Sequence, residues 1–221
     1  MTTTHIAVYR RHAEGLNDTI TSTLPSPGMK NSIATDYINE QELLSGEANK
    51  SFKRLSNLPD WLQIAVGARV MFLNNTLFNS GVCNGSMGVI LTINADDSIK
   101  VAFPTANGIQ EVDVYKTALY FYLNCAHVVR RLYPLANAFA LTVYKTQGVT
   151  LPRICLQLDE TIFATGQAYV AISRAKRWKA VAISSFRPDV FQVDPGPVGR
   201  YDRLLKFATS TYLYSWKTAN R

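Results

Sequence analysis

Apolar residues recur in short runs along much of the chain, and the first runs predict the start of an α/β unit. Residues 4–9 form a short segment rich in β-branched side chains, which is typical of a strand. Residues 13–24 predict a helix, because apolar side chains recur at every fourth position: Leu16, Ile20 and Leu24. A strand that leads directly into a helix is the usual opening of an α/β domain.

The middle of the chain has a different pattern. Four strand-like runs cover residues 68–73, 87–93, 99–103 and 109–115, and Asn-Gly or Asp-Asp pairs separate them. A fifth run, 127–133, leads out of this region. Short strands at this spacing are typical of a small β-barrel or meander. We therefore expect an all-β insert at residues 58–133, within a discontinuous α/β domain formed by residues 1–57 and 134–221.

The last third returns to the α/β pattern. Pro134 suits the first turn of a helix, and the apolar face that follows predicts a helix ending at Gly148. Next come a predicted strand (153–158), helix (166–176), strand (180–184) and terminal helix (198–216). The terminal helix offers several large side chains for burial: Tyr201, Leu204, Leu205, Phe207, Tyr212 and Leu213. The alternation predicts a parallel sheet with right-handed crossovers.

Composition and charge are each compatible with more than one kind of partner. Lys and Arg number 23 against 16 Asp and Glu, which gives a net charge of +7. This excess suits a polyanionic partner, and it equally suits a basic domain that has none. The 11 tyrosines suit stacking on unpaired bases or a role in the core.

The cysteine and histidine pattern argues against a metal site. The three cysteines, Cys83, Cys125 and Cys155, form no CxxC pair and lie among apolar or small residues. They are expected to be buried free thiols in a reducing compartment. The histidines do not join them at metal-ligand spacing, so no zinc site is expected. The sequence has no apolar run of membrane-spanning length and no signal-peptide pattern, so we expect an intracellular protein, cytoplasmic or nuclear.

One apparent catalytic motif has an alternative explanation. Residues 154–160 resemble a Walker B strand, since an apolar run ends in Asp159 and Glu160. Such carboxylates hold Mg²⁺ against a nucleotide that a phosphate loop binds. The sequence contains no G-x-x-x-x-G-K-[ST] motif. We therefore favour the simpler interpretation, in which two acidic residues follow a strand and precede a helix, where the helix dipole favours them.

Two polar clusters at the ends of apolar segments carry more information. Lys145, Thr146 and Gln147 follow Thr142 and Tyr144, and together they offer phosphate contacts, hydroxyls and one stacking ring. Arg174 ends the apolar segment 166–173, as an arginine finger directed at a γ-phosphate does. An arginine that complements the helix dipole is the alternative for this residue.

Four segments of the sequence, in this order, closely resemble the C-terminal half of PIF-type DNA helicases of superfamily 1B. They are GARVMFLNN (67–75), GVCNGSMGV (81–89), AFALTVYKTQG (138–148) and GQAYVAISR (166–174). The resemblance extends from about residue 4 to about residue 205. It implies a second RecA-like motor domain, interrupted by a small Src-homology-type β-barrel, and ATP-driven 5′-to-3′ movement along single-stranded DNA.

The resemblance also implies roles for individual residues. The segment around Arg10 and Asn17 resembles helicase motif IV, residues 142–148 resemble motif V, and residues 167–174 resemble motif VI. Arg174 is then the arginine finger. The implied nucleotide-binding residues are Gln147, Gly148, Gln167 and, on weaker grounds, Arg10. The implied DNA-binding residues are Thr142, Tyr144, Lys145, Thr146 and Asn84.

The chain departs from the family pattern in two respects. Tyr144 and Thr146 replace the usual His and Ser of motif V. The first motor domain, with its phosphate loop, has no counterpart in the sequence. ATP and Mg²⁺ are therefore expected to bind only together with such a domain, and the expected partners are that domain and single-stranded DNA. Two alternatives remain open: a non-catalytic single-strand-binding module, and a structural protein that pairs with a separate motor domain.

Overall fold

A computed structural model describes residues 3–24, 29–43, 52, 55 and 58–219, with only the backbone described at 208 and 210–219. The elements of the first half are β1 (Thr3–Ala7), α1 (Arg10–Ser22), β2 (Lys30–Ile33), β3 (Thr35–Ile38), β4 (Gln41–Glu42), β5 (Trp61–Ile64), β6 (Arg69–Phe72), β7 (Met87–Ile93) and β8 (Ile99–Thr105). Those of the second half are β9 (Gly108–Val114), β10 (Thr117–Leu123), β11 (Ala126–Leu132), β12 (Leu135–Asn137), β13 (Ala140–Thr142), β14 (Arg153–Leu158), α2 (Gln167–Ile172), β15 (Val181–Phe186) and α3 (Pro195–Ala219).

A parallel sheet of four strands, in the order β13-β1-β14-β15, forms the α/β part. His5 of β1 is paired with Ala140 of β13 on one side and with Cys155 of β14 on the other. The parallel sheet confirms the α/β class expected from the sequence. Because the strands run in the same direction, their carboxyl ends share one edge of the sheet.

The helix predicted from Pro134 to Gly148 is wrong. This segment forms β12, β13 and a 3₁₀ turn at Tyr144–Thr146. Leu135, Leu141 and Val143 are all buried, so most of the run lies in the core. Periodicity alone does not separate a buried strand from a buried helix, and pairing with β1 decides the outcome.

The all-β part contains a five-stranded antiparallel sheet in the order β12-β6-β7-β8-β9. Its middle strands agree with the four predicted runs. Gly88 of β7 has no room for a side chain, because a Cβ there would lie 2.7 Å from both Ala102 O and Val101 Cγ1. The close approach of β8 to β7 therefore depends on glycine at this position.

A second antiparallel sheet, β10-β11-β3-β4, corrects the expected course of the chain. The run 127–133 is a strand as predicted, β11, and it pairs with β10 and β3 rather than with the first sheet. Strand β10 was not predicted. Its turn into β11 places Asn124 and Cys125 at φ 47° and 64°, a geometry for which the usual sequence signal is Asn-Gly.

Several predicted buried positions are also corrected. On α1 the buried residues are Ala13, Asn17 and Thr21, whereas Leu16 is exposed. Along α3 the four described large side chains are all exposed, by 54% to 71%: Tyr201, Leu204, Leu205 and Phe207. The side chains of Tyr212 and Leu213 lie outside the described residues. The cysteines are free as expected, but Cys125 is exposed and Cys83 and Cys155 are only half-buried.

A buried arginine joins β11 to β3 within the second sheet, and joins both to the segment before β5. Arg130 is fully buried and donates from Nε and Nη2 to the two oxygens of Asp36, each at 2.7 Å. Its Nη1 donates to Asp60 Oδ1 at 3.0 Å, and its guanidinium lies over the ring of Phe52. Burial lowers the pKa of Arg130, but the hydrogen bonds and negative charges of Asp36 and Asp60 together outweigh it and raise that pKa overall. The charge is therefore retained inside the protein.

Arg69 links the five-stranded sheet to the parallel sheet. Its Nε donates to Ala138 O at 3.0 Å, and its Nη2 donates to Thr3 O and Thr4 Oγ1 at 3.1 and 2.9 Å. Both β1 and the segment before β13 are thereby fixed to β6. None of the helices in the described part of the chain is long and apolar enough to cross a membrane.

Replacing Arg130 with leucine is expected to lower the free energy of unfolding by about 3–5 kcal/mol, because Asp36 would stay buried without its partner. Urea denaturation measures the change. Arg131→Leu is the matched control, since Arg131 is exposed on the opposite face of β11 and should shift the free energy by no more than about 1 kcal/mol. Adding Asp36→Leu to Arg130→Leu should recover part of the loss. Equal effects of the two single substitutions would contradict this account.

Candidate nucleic-acid interface

The carboxyl edge of the parallel sheet gathers polar side chains from neighbouring strands. Arg10 begins α1 directly after β1, and Thr142, Tyr144 and Lys145 follow from β13, the strand beside β1. Burial lowers the pKa of Lys145, and the positive charge of Arg10 lowers it further. Two cations therefore lie close enough to repel each other, and Glu14, which pairs with Arg10 at 2.9 Å, offsets part of this repulsion.

Asn17 fixes α1 against the outer edge of β13. Its Nδ2 donates to Ala140 O at 2.9 Å, and its Oδ1 accepts from Ala140 N at 2.8 Å. The side-chain amide thus takes the place of a further strand and satisfies a buried backbone pair. This contact sets the position of Arg10 relative to the segment that carries Lys145. Sequence reasoning had named Asn17 only through the motif IV resemblance.

The segment 142–149 folds tightly after β13. Tyr144 is 57% exposed, whereas Thr146 is fully buried and donates its hydroxyl to Val143 O at 2.7 Å. Gln147 is exposed, and Gly148 has φ 76°, a backbone conformation that strongly favours glycine. Among the predicted strand-binding side chains of this segment, Tyr144 is therefore open to solvent, while the Thr146 hydroxyl is occupied within the protein.

Arg174 connects α2 to this segment. Its Nη1 donates to Thr146 O at 3.1 Å and to Val149 O at 3.4 Å. Its Nε donates to Val170 O at 2.9 Å, so the guanidinium also caps the last turn of its own helix. These bonds place Arg174 against the backbone of the 144–149 segment.

Two other predicted residues lie outside the cluster of Arg10, Thr142, Tyr144 and Lys145. Gln167 begins α2 and is 4% exposed; its Oε1 accepts from Phe163 N at 3.3 Å. Within the described part of the chain, its Nε2 has no hydrogen-bond partner. Asn84 lies just before β7, where its backbone N donates to Asn75 Oδ1 at 2.9 Å.

Asp159, the first acidic residue of the Walker B-like run, is engaged by its own surroundings. One of its carboxylate oxygens accepts from Thr161 N and Oγ1 at 3.1 and 2.7 Å, and the other accepts from Ser185 Oγ at 2.7 Å. Burial raises the pKa of Asp159, but the hydrogen bonds from Ser185 and Thr161 outweigh it and lower the pKa to about 2. The side chain ties the end of β14 to β15. The expected helix-dipole explanation is wrong, because α2 begins only at Gln167, several residues after Asp159 and Glu160.

No protein-family model matches the chain. Among curated proteins, the ATP-dependent DNA helicase PIF1 of Danio rerio is 31% identical over 145 residues, which cover 66% of this chain and 22% of that protein. The ATP-dependent DNA helicase Pif1 of Bdellovibrio bacteriovorus is 30% identical over 148 residues, which cover 66% of this chain and 32% of that protein.

Solved structures agree with the sequence relatives. The Pif1 helicase of Candida albicans matches 94% of this chain with a TM-score of 0.77 and 22% identity, over 50% of its own length. A Bacteroides Pif1 bound to single-stranded DNA matches 94% with a TM-score of 0.66 and 23% identity, over 46% of its length. The homologues of this chain are Pif1 helicases.

This chain aligns with only part of the length of each Pif1 protein. The chain spans 22% and 32% of the two curated Pif1 relatives, and 50% and 46% of the two solved chains. The structural match shows that this chain has the fold of the corresponding part of those Pif1 proteins. The RecA-like parallel sheet expected from the sequence agrees with it.

The hydrogen bonds to Asp159 predict a pH dependence of stability. Because the pKa of Asp159 is about 2 in the folded protein and about 3.9 in an unfolded chain, the unfolded state binds more protons between these values. Asp159 therefore stabilises the fold fully above about pH 4, and this contribution is lost as the pH falls through about 2. Asp159→Asn should give a shallower dependence of the unfolding free energy on pH in this window.

Glu160→Gln is the matched control, since the side chain of Glu160 is 74% exposed. Chemical denaturation at a series of acidic pH values measures both variants. If Glu160→Gln flattened the profile as much as Asp159→Asn does, the assignment to Asp159 would be wrong.

Proposed function

We propose that this chain is the C-terminal part of an ATP-dependent 5′-to-3′ DNA helicase, and that it supplies the contacts of motifs V and VI to single-stranded DNA and ATP. The observation that carries this proposal is the pair of cations Arg10 and Lys145, from neighbouring strand ends, in a fold shared with Pif1 helicases. One of the solved relatives is bound to single-stranded DNA, and another is in complex with ADP-AlF₄.

In this proposal, residues 1–57 and 134–221 form the second motor domain, and residues 58–133 form an inserted β-barrel of the Src-homology type. The five-stranded antiparallel sheet supports the insert. Strands outside these boundaries add to it, because β12 pairs with β6, β2 with β5, and β3 with β11. The all-β part is therefore extended by strands from both flanks.

The DNA strand is proposed to pass along the carboxyl edge of the parallel sheet. Lys145 and Arg10 contact phosphates there, and the exposed ring of Tyr144 stacks on a base. Thr142 lies at the same edge, and the buried Thr146 supports the strand contacts indirectly, since its hydroxyl bonds to Val143 O and its carbonyl accepts from Arg174. Asn84 is proposed as a more distant contact from the all-β part.

ATP is proposed to bind between this chain and a first motor domain that carries the phosphate loop and holds Mg²⁺. Gln147, Gly148 and Gln167 line the nucleotide on this side, with Arg10 as a weaker candidate. Arg174 serves as the arginine finger. Its bonds to Thr146 O and Val149 O hold the guanidinium in place until phosphate oxygens replace those carbonyls.

A non-catalytic single-strand-binding module is the second candidate. It is favoured by the hydrogen bonds that already occupy Arg174 and Asp159 within the chain. The two candidates share the same DNA contacts and differ in whether Arg174 acts on a nucleotide.

Lys145→Ala is expected to weaken binding to single-stranded DNA by about tenfold, the usual effect of losing one charge-assisted contact. It should also reduce the slope of log affinity against log salt by about 1. Fluorescence anisotropy with labelled oligonucleotides measures both quantities. Lys179→Ala is the matched control, because Lys179 precedes β15 at the amino edge of the sheet. Binding that does not respond to salt would rule out the proposed interface.

The chain alone is expected to show no ATPase activity above background, with or without single-stranded DNA, since its sequence has no phosphate loop. A phosphate-release assay measures this. Turnover that disappears in Asp159→Asn or Glu160→Gln would contradict the proposal and restore the Walker B interpretation of these carboxylates.

A further inference from the structure

A groove of about 100 Å³ lies between α1, β5 and the segment of β12 and β13. Its helical wall is one face of α1, formed by positions i, i+4, i+7 and i+8: Arg10, Glu14, Asn17 and Asp18. Thr142 and Lys145 also line the groove, so it is continuous with the proposed strand-binding edge. None of the sequence motifs pointed to this groove as a whole.

The size and charge of the groove favour a small neutral group. An apolar cavity of about 150 Å³ holds one benzene ring, so this smaller groove, which is open to solvent on one side, takes in part of one flat ring system. Its charges nearly cancel, since Arg10 pairs with Glu14 at 2.9 Å while Asp18 and Lys145 also contribute to the walls. A ring with polar edges suits such walls better than a phosphate does, because a phosphate needs a net positive charge.

Trp61 gives the groove a stacking surface. Strand β5 alternates, with Leu62 and Ile64 buried in the core and Trp61 and Gln63 on the opposite face. Trp61 is 43% exposed and lines the groove. A large aromatic side chain left half-exposed beside a polar cluster is typical of a site that stacks against a flat ligand.

Two hydrogen-bond acceptors lie in the wall beside Trp61. Asn137 Nδ2 donates to Gln63 O at 3.1 Å, which fixes the orientation of the amide. In the part of the chain that the structure describes, the shielded atoms Asn137 Oδ1 and Gln63 Oε1 have no hydrogen-bond partner. A buried acceptor without a partner favours a ligand that brings an N–H group.

We propose that this groove holds one unpaired base of a bound DNA strand, with its ring against Trp61 and its exocyclic amino group donating to Asn137 Oδ1. Arg10 and Lys145 then meet the phosphates beside that base. Cytosine and adenine carry such an amino group, whereas thymine presents only a carbonyl at that position. The groove therefore selects cytosine or adenine over thymine. This inference rests on the proposed function, because the strand must be bound at the carboxyl edge.

Homopolymers test the selection directly. The full chain is titrated into labelled oligo(dC), oligo(dA) and oligo(dT) of equal length, and anisotropy gives the affinities. Oligo(dC) and oligo(dA) are expected to bind about fivefold more tightly than oligo(dT), the effect of one neutral hydrogen bond. Asn137→Ala should remove this preference while changing the affinity for oligo(dT) little.

Tryptophan fluorescence tests the stacking. Binding of oligo(dC) should quench the emission of the chain. Trp61→Phe should lose the quenching while keeping most of the affinity, and Trp61→Ala should lose both. Trp178→Ala is the matched control, because Trp178 is 73% exposed and does not line the groove. Quenching in this control should remain. Circular dichroism checks that each variant is folded.

Equal affinity for the three homopolymers, or unchanged quenching in Trp61→Phe, overturns the base pocket. If Lys145→Ala still weakens binding in that case, strand binding at the carboxyl edge stands without the pocket. If the chain binds none of the homopolymers, both proposals are overturned. The base-preference measurement uses the unmodified chain, so it decides the question even if a variant fails to fold.

Discussion

The central position of β1 in the parallel sheet organises the candidate site. Its hydrogen bonds to β13 and β14 join the first residues of the chain to segments more than 130 positions later. Because all three strands run in the same direction, Arg10, Lys145 and Asp159 leave the sheet at one edge. Asn17 secures the outer side of this arrangement through its two bonds to Ala140. Loss of the β1 pairing would separate Arg10 from Thr142, Tyr144 and Lys145.

Two arginines hold the all-β part in place: Arg69 bonds it to the parallel sheet, and Arg130 bonds its strands to each other. Arg69 lies where β6 meets β1 and the segment before β13, and it donates hydrogen bonds to carbonyl groups of both. Arg130 is a buried charge, and it is retained because Asp36 and Asp60 share it. Such a pair adds specificity of geometry more than stability, since both partners lose their hydration. Together they fix the wall that carries Trp61 beside α1.

The residues that resemble helicase motifs differ in how free they are to act. Lys145 and Tyr144 are available at the sheet edge, whereas Arg174 and Asp159 are held by hydrogen bonds within the chain. If the chain is part of a helicase, Tyr144 and Lys145 contact the strand before the nucleotide binds. Arg174, in contrast, must give up its present hydrogen bonds before it contacts the nucleotide. For a binding module, the same bonds are permanent. The state of Arg174 is therefore what distinguishes the two proposals.

The sequence by itself determined the elements whose signals are local. Strand β14 begins and ends where its apolar run does, and the four runs from 68 to 115 became strands of one sheet. The residue types at 142–148 and 166–174 likewise identified the helicase resemblance. These features depend on side chains a few positions apart, so pattern and spacing were sufficient.

Only the tertiary structure decided how these elements meet. The segment 135–143 is rich in apolar residues without a clear period, and it forms strands rather than a helix because it pairs with β1 and β6. Strand β10 depends on a left-handed turn at Asn124 and Cys125 that lacks the usual glycine. Arg130 lies on the same face of β11 as Val128 and Leu132, so the alternation of the strand indicates that it is buried. Its partner Asp36 is 94 residues away, and no local pattern identifies it. The groove beside Trp61 is formed by four segments that are distant in the sequence, and strand pairing and core packing bring them together.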